Sequence, residues 1–168
     1  NLGLSMEHEK PVADVIGDRI MLTVIVSVAT VLFTWALAVP AGIYSAGLQQ
    51  TAGDYSMSFL AFLAMSVPSF LLALVFMYLA KSWFGVNLGG LFSPQYATMP
   101  GWNWAKAVDL VEHLWLPVVV LGFGSAAGLI RLMRANLLDE LKKPYVATAR
   151  ATGVRPLRLL LKYPARLA

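Results

Sequence analysis

Long apolar stretches alternate with short polar segments along this chain. Residues 20–46 and 57–80 carry no charged side chain, and residues 114–131 are apolar up to Arg131 at their end. About 20 consecutive apolar residues are enough for a helix to cross the hydrocarbon core of a bilayer. The pattern therefore predicts an all-α, polytopic membrane protein whose three transmembrane helices form a bundle. The third stretch is short, and its helical periodicity is expected to continue to Leu141.

Pro40, Pro68 and a pair of glycines are candidate positions for kinks or close packing within these stretches. Pro40 lies near the end of the first span and Pro68 in the middle of the second. Each predicts a kink, because proline cannot donate a helical hydrogen bond. Gly124 and Gly128 in the third span form a GxxxG pattern, which lets another helix approach closely. Ordinary packing of kinked helices explains Pro68 as well as a functional bend does, so both interpretations stay open.

The composition agrees with a membrane protein and excludes several kinds of chemistry. Hydrophobic residues make up 58% of the chain and charged residues 13%, whereas soluble domains have about 25% charged residues. The absence of cysteine excludes disulfides and thiolate metal sites, and no Walker A string is present. The spans have no ionisable residue in their middle, which argues against a proton-coupled carrier or a voltage sensor. We therefore predict a non-enzymatic protein that needs no cofactor.

Few other side chains suggest a catalytic or metal site. His8 and His113 are far apart in the sequence and lack the spacing of metal ligands, so both are expected at the surface. Asp109 is expected on a solvated helix face. The segment 81–113 is predicted to be an external loop with a short helix at 103–112. Because it is rich in Gly, Pro and aromatic residues, we expect it partly in the membrane interface.

Positive charge is concentrated in the C-terminal part of the chain. Nine of the 13 lysine and arginine residues lie at or after Arg131. Short loops rich in lysine and arginine stay in the cytoplasm. Residues 142–168 and the 48–56 connection are therefore expected inside, and residues 1–18 and 81–113 outside. An exported N-terminal segment without a signal or a preceding span predicts that this sequence is a fragment of a longer protein.

The basic segment contains two short helical patterns. The first begins at Pro144, a residue suited to the first helical position, and ends at Gly153, which suits the left-handed conformation just after a helix. The second begins at Pro156 and is amphipathic, with a basic stripe opposite its leucines. One face of the first pattern has small residues and one aromatic: Tyr145, Thr148, Ala149 and Thr152. Such a face lets the surface of another protein approach closely.

The order of residues in this segment resembles the EAA loop of ABC-importer permease subunits, and most of all its variant in the dipeptide/oligopeptide permease family. The residues that carry the resemblance are Tyr145, Val146, Thr148, Ala149, Arg150, Ala151 and Gly153. Ala147 stands where the wider superfamily has glutamate, a departure that this subfamily usually shares. The string from Ser66 to Phe70, Ser-Val-Pro-Ser-Phe, is similar to one at the same place in that family's order of spans.

The resemblance implies a fold, a role and a set of partners. The fold would be a type I ABC-importer permease-like helical bundle, with residues 1–18 outside and residues 19–168 forming the transmembrane domain. The helix before Gly153 would be the coupling helix that docks into the ATPase subunit, and Pro68 would bend the second span beside the solute path. The partners would be a second permease subunit, in a homo- or heterodimer, two ATP-binding subunits, an extracytoplasmic solute-binding protein and the lipid bilayer, without nucleic acid.

The function implied by the resemblance is ATP-driven import of small solutes across the bacterial inner membrane. Di- and oligopeptides are the commonest cargo of the family, but relatives carry nickel, sugars or opines, so the substrate stays open. The segment 81–113 would either contact the solute-binding protein or anchor the chain in the interface. The charge pattern also fits a different class of protein, a membrane-anchored structural or sensor protein whose basic tail binds anionic lipid.

Overall fold

The computed structural model describes residues 3–6, 11–85, 89–99 and 101–168, and His8 lies outside this part of the chain. Its regular elements are all helices: α1 (Val12–Gly47), α2 (Ala52–Ser66), α3 (Ser69–Phe84), α4 (Pro94–Ala97), α5 (Trp104–Leu141), α6 (Pro144–Ala151), α7 (Pro156–Lys162) and α8 (Pro164–Leu167). The prediction of an all-α fold is therefore confirmed. Two of these helices, α1 and α5, are each long and apolar enough to cross a membrane.

α1 and α5 pack side by side and run in the same direction, with Phe33 beside Gly122 and Gly42 beside Met133. The two glycines make this packing possible. A methyl group added at Gly42 would lie 2.7 Å from Cβ of Met133, and one at Gly122 would lie 2.5 Å from Cδ1 of Phe33. α1 remains helical through Pro40. Much of its surface is nevertheless apolar and exposed, as expected for a helix that faces lipid or other spans.

The second predicted span is broken into two helices instead of being merely kinked. α2 and α3 meet at an angle of 94°. Val67 between them is extended, with φ −88° and ψ 121°, because the ring of Pro68 disfavours a helical conformation in the residue before it. The break therefore lies where the sequence places a proline, but the bend is far sharper than a proline kink in a continuous helix.

Despite this bend, α2 and α3 follow α5 steadily from one end towards the other. Asp54 at the start of α2 binds Arg134 of α5, Ala64 packs on Ala127, and Ala80 near the end of α3 packs on Leu116. Residues 116 to 134 of a helix span about 27 Å, close to the thickness of the hydrocarbon core. In these three contacts α2 and α3 run antiparallel to α5. The structure therefore has two helices long enough to cross a membrane, or three crossings if the bent pair counts as one span.

α5 begins at Trp104, ten residues before the predicted start of the third span at residue 114. The short helix predicted at 103–112 is thus the first part of α5, and the loop that precedes it is shorter than 81–113. The side chain of Asn103 explains the start, because it caps the helix by accepting a hydrogen bond from the N–H of Lys106 at 2.7 Å. The helix ends at Leu141, as its periodicity predicts.

Two predictions about the polar residues of α5 were wrong. Asp109 is buried, not solvated, because its carboxylate accepts hydrogen bonds from the backbone N–H and the hydroxyl of Ser93. His113 is also buried, with Nδ1 2.8 Å from the carbonyl oxygen of Asp109. The loop before α5 folds back over the first turns of this helix, and that tertiary contact covers side chains that an isolated helix would expose.

Candidate functional site

The basic segment after α5 contains the helix that the sequence predicts. α6 begins at Pro144 and is followed by Gly153, whose φ of +80° lies in the left-handed region. The N–H of Val154 donates to the carbonyl of Ala149 at 3.3 Å and closes the end of the helix. Proline at the start and glycine after the end are therefore both explained by local backbone geometry.

α6 is held against the rest of the chain by Val146, which is 2% exposed. The predicted small face is only partly free: Thr148 and Thr152 are exposed, whereas Tyr145 and Ala149 are half-buried. Both threonine hydroxyls donate to carbonyls of the same helix, at 3.2 Å and 2.9 Å. The outer surface of α6 thus consists mostly of small side chains, and the hydroxyl groups of Thr148 and Thr152 already have hydrogen-bond partners.

The connection between α5 and α6 is fixed by a small polar network around Glu140. Tyr145 donates its hydroxyl to Oε2 of Glu140 at 2.8 Å, and Lys143 forms an ion pair with Oε1 of the same carboxylate. Burial and this hydrogen bond raise the pKa of Tyr145, so the phenol stays protonated at neutral pH and continues to donate. The network therefore links the last turn of α5 to the first turn of α6.

The second basic helix returns the chain to the bundle. Leu159 of α7 is almost fully buried, and Asn136 of α5 donates its side-chain N–H to the carbonyl of Ala168 at 3.1 Å. The predicted basic stripe is exposed: Arg155, Arg158, Lys162 and Arg166. Part of the predicted apolar face is not covered by the described chain, because Leu157 is 69% exposed and Leu161 is also exposed.

An apolar groove of about 860 Å³ separates the end of α1 from α7. Its walls include Pro40 and Tyr44 on one side and Leu157 and Leu161 on the other, with Arg150 at the rim. Its lining is mostly apolar, and it holds no cluster of titratable groups.

Sequence reasoning missed an ion pair at this end of the bundle. The Nε atom of Arg134 lies 2.8 Å from Oδ1 of Asp54, and its Nη2 lies 2.7 Å from Oδ2. Asp54 is 3% exposed and also accepts hydrogen bonds from the hydroxyl of Ser45 and the N–H of Gln50. The only signal in the sequence was an aspartate three residues after Thr51, the capping residue of α2.

The GxxxG pattern of α5 lies on an open side of the helix. A methyl group added at Gly124 or Gly128 would have no atom of the described chain within 4 Å, other than its own helical backbone and neighbours. The predicted close packing at these two glycines therefore involves no other helix described here. It remains a prediction about a neighbouring chain or segment.

The break between α2 and α3 leaves backbone polar groups without partners. The hydroxyl of Ser66 donates to the carbonyl of Phe62 at 2.8 Å, and Pro68 accepts from the first bonded N–H groups of α3. Within the described residues, the N–H groups of Ser69 and Phe70 have no such bond. The residues at the break are mostly exposed, and they lie between the levels of Ala64 and Ala80 along the bundle.

Comparisons with known proteins agree with this arrangement. The chain is 37% identical to a Brucella ovis protein named as a peptide permease, over all of the chain and 51% of that protein. It is 30% identical to an oligopeptide transport system permease protein of Bacillus subtilis, over 94% of the chain and 48% of the relative. It is 31% identical to a glutathione transport system permease protein of Escherichia coli, over 100% of the chain and 50% of the relative.

The chain spans about half the length of the curated relatives that it matches. Residues 38–168 of the chain fit the family described as binding-protein-dependent transport system inner membrane component. This range includes the broken span, the long helix α5 and the whole basic segment. With a match over most of its length and a bundle of apolar helices, this chain belongs to the family of binding-protein-dependent transport system inner membrane components.

Proposed function

We propose that this chain is part of the transmembrane subunit of an ATP-driven importer in a bacterial inner membrane. The observation that carries the proposal is α6, a short helix with a small outer face that Val146 and the Glu140 network hold rigidly at the end of α5. ATP hydrolysis belongs to a separate subunit in this proposal. The names of the relatives, which refer to peptides, oligopeptides and glutathione, support peptides as the solute class.

The basic segment lies on the cytoplasmic side in this proposal, because lysine and arginine are retained there. α6 would then dock on the ATP-binding subunit, with Thr148 and Thr152 in the contact. Closure of two ATP-binding subunits would displace α6. Because α6 is fixed to α5, the displacement would pass along a single helix of 38 residues, about 57 Å long. A second permease subunit and an external solute-binding protein complete the proposed assembly.

The solute path in this proposal runs beside the break between α2 and α3. Unpaired backbone groups cost several kcal/mol each in hydrocarbon, so irregular backbone at membrane depth occurs where protein or a water-filled cavity covers it. The free N–H groups of Ser69 and Phe70, together with the hydroxyls of Ser66 and Ser69, suit an aqueous path for a polar solute. The 94° bend at Pro68 keeps these groups available.

Site-specific cross-linking tests this proposal. The 168 residues of this chain include no cysteine. A cysteine introduced at Thr148 in the full-length subunit is expected to cross-link to an ATP-binding subunit in assembled transporter. A cysteine at Trp104, which is 84% exposed at the opposite end of α5, is the matched control. It is expected to give no such product and to react with an impermeant reagent from outside.

Contact of Thr148 with lipid alone would contradict the proposal and would favour a basic tail that binds anionic phospholipid. Reaction of the Trp104 cysteine from the cytoplasmic side would reverse the proposed orientation. Both the cross-linking and the labelling are measured on assembled complex. A variant that is not expressed or does not assemble is therefore recognised before either measurement.

A further inference from the structure

An ion pair between the buried Asp54 and the half-buried Arg134 connects the turn between α1 and α2 to α5, close to the basic segment. Asp54 stands in the first turn of α2, and Arg134 lies seven residues before Leu141, the last residue of α5. Seven residues of helix correspond to about 10 Å, so the pair lies within two turns of the point where α5 passes into α6. Three helices meet here, since Ser45 of α1 also binds the carboxylate.

Both carboxylate oxygens of Asp54 are fully used. Oδ1 accepts from Nε of Arg134 and the hydroxyl of Ser45, and Oδ2 accepts from Nη2 of Arg134 and the N–H of Gln50. Gln50 has a φ of +59°, a left-handed conformation that is uncommon for a residue other than glycine. The carboxylate therefore holds a strained turn as well as a guanidinium group, and Arg134 contributes the two-pronged geometry that lysine lacks.

The other ion pairs of the described residues do not join separate long helices. Lys142 with Asp139 and Lys143 with Glu140 are each three residues apart, and His113 with Asp109 lies within α5. Lys142 and Asp139 are also highly exposed, which makes such a pair weak. The side chain of Asp54 is 4% exposed in its pair with Arg134. The side chain of Arg134 is 31% exposed. Removing Arg134 would therefore leave the buried carboxylate of Asp54 unpaired, which is far more costly than losing a surface pair.

We propose that Asp54 and Arg134 are positioning residues for energy coupling, and this inference rests on the proposed transport function. The pair keeps α1, α2 and α5 together at the end that bears α6. A displacement of α6 therefore moves the start of α2 along with α5, and it reaches the break at Pro68 through α2. Without the pair, the start of α2 would follow α5 less closely, and ATP hydrolysis would continue with less opening of the path.

The test uses the full-length subunit, assembled with its ATP-binding subunits and solute-binding protein in vesicles. Transport and ATP hydrolysis are measured together for Asp54→Asn, Arg134→Gln and the double variant. Solute transported per ATP is expected to fall by about 5- to 150-fold, the usual range of a coupling free energy between two sites. The double variant leaves no unpaired buried charge, so it is expected to assemble better than either single variant and yet remain uncoupled.

Two further variants separate coupling from folding. Arg134→Lys keeps the charge without the two-pronged contact and is expected to lie between wild type and Arg134→Gln. Arg131→Gln is the matched control: Arg131 is an exposed arginine one turn earlier in α5, and its guanidinium lies 4.4 Å from the ring centre of Phe62 in α2. Arg131 has no buried carboxylate partner among the described residues. The ratio of transport to hydrolysis in Arg131→Gln is expected to stay near that of wild type.

The inference is overturned if the double variant transports as much solute per ATP as wild type. It is equally overturned if transport and hydrolysis fall together, in proportion to the amount of assembled complex, because that pattern indicates a purely structural role. A wild-type complex that shows no transport linked to ATP hydrolysis would instead refute the proposed function, and the coupling role would fall with it. The two failures are therefore distinguishable.

Discussion

The close packing of α1 on α5 predicts a measurable difference between two glycines. In Gly42→Ala, the added methyl carbon would lie 2.7 Å from Cβ and 2.8 Å from Cγ of Met133, and 3.1 Å from the carbonyl oxygen of Ile130. Two of these atoms belong to the backbone or lie next to it, so they cannot move away as the end of a flexible side chain can. To restore a separation of about 3.7 Å, a normal carbon–carbon contact, the helices must move apart by about 1 Å.

The expected cost follows from two opposing effects. Overpacking of a well-packed contact lowers the free energy of unfolding by about 1–3 kcal/mol. Replacing glycine with alanine inside a helix raises it by about 1 kcal/mol. Gly42→Ala is therefore expected to lower the free energy of unfolding by about 0–2 kcal/mol. Gly124→Ala, whose methyl group would meet open space in this chain, is expected to raise it by up to about 1 kcal/mol.

The assay is thermal denaturation of the full-length subunit in detergent, followed by loss of the monodisperse species. The apparent Tm of Gly42→Ala should lie below that of Gly124→Ala, with wild type between them or close to one of them. Equal or reversed Tm values would refute the described contact between α1 and α5. If Gly124→Ala lowers the Tm only in the assembled transporter, the open glycine face is packed against a partner there.

Two other substitutions test α6 and the break. Val146→Asp places a charge where the side chain is 2% exposed, so it is expected to cost more than about 4 kcal/mol of stability and to abolish recovery of folded subunit. Ala147→Asp, at a neighbouring exposed position, is the control and should be recovered normally. Equal recovery of the two variants would contradict the described packing of α6. Pro68→Ala restores a backbone N–H and favours a continuous helix by about 3 kcal/mol, so transport should fall while recovery of folded subunit is unchanged. Pro40→Ala is the control, because α1 is already helical at that position. Full transport by Pro68→Ala would exclude a functional bend.

The two prolines show why a local pattern predicts a kink but not its size. Both remove a backbone donor from an apolar helix. Around Pro40, Ala38 and Gly42 are buried and Gly42 packs on α5, so tertiary contacts hold the helix together on both sides. Around Pro68 the neighbouring residues are mostly exposed, and nothing in the described chain restrains the helix from breaking. Pro40 and Pro68 therefore behave differently because only the residues around Pro40 are packed against another helix.

The glycines also show that a local sequence pattern does not predict which residues meet in the folded chain. The GxxxG pattern identifies Gly124 and Gly128 as small residues on one helix face, and that is a property of the sequence alone. Which glycine receives a neighbour depends on how α1 is placed along α5, and this register selects Gly42 and Gly122 instead. The ion pair between Asp54 and Arg134 was missed for a similar reason, since 80 positions separate its members.

The sequence by itself determined the apolar spans, the all-α fold, the end of α5 and the bounds of α6. These follow from periodicity, capping and the backbone preferences of proline and glycine, which act over at most a few neighbouring residues. Only the tertiary structure decided the 94° break, the burial of Asp109 and His113 and the contact between Asp54 and Arg134. Those features depend on groups far apart in the chain, and their energies exist only once the helices have packed.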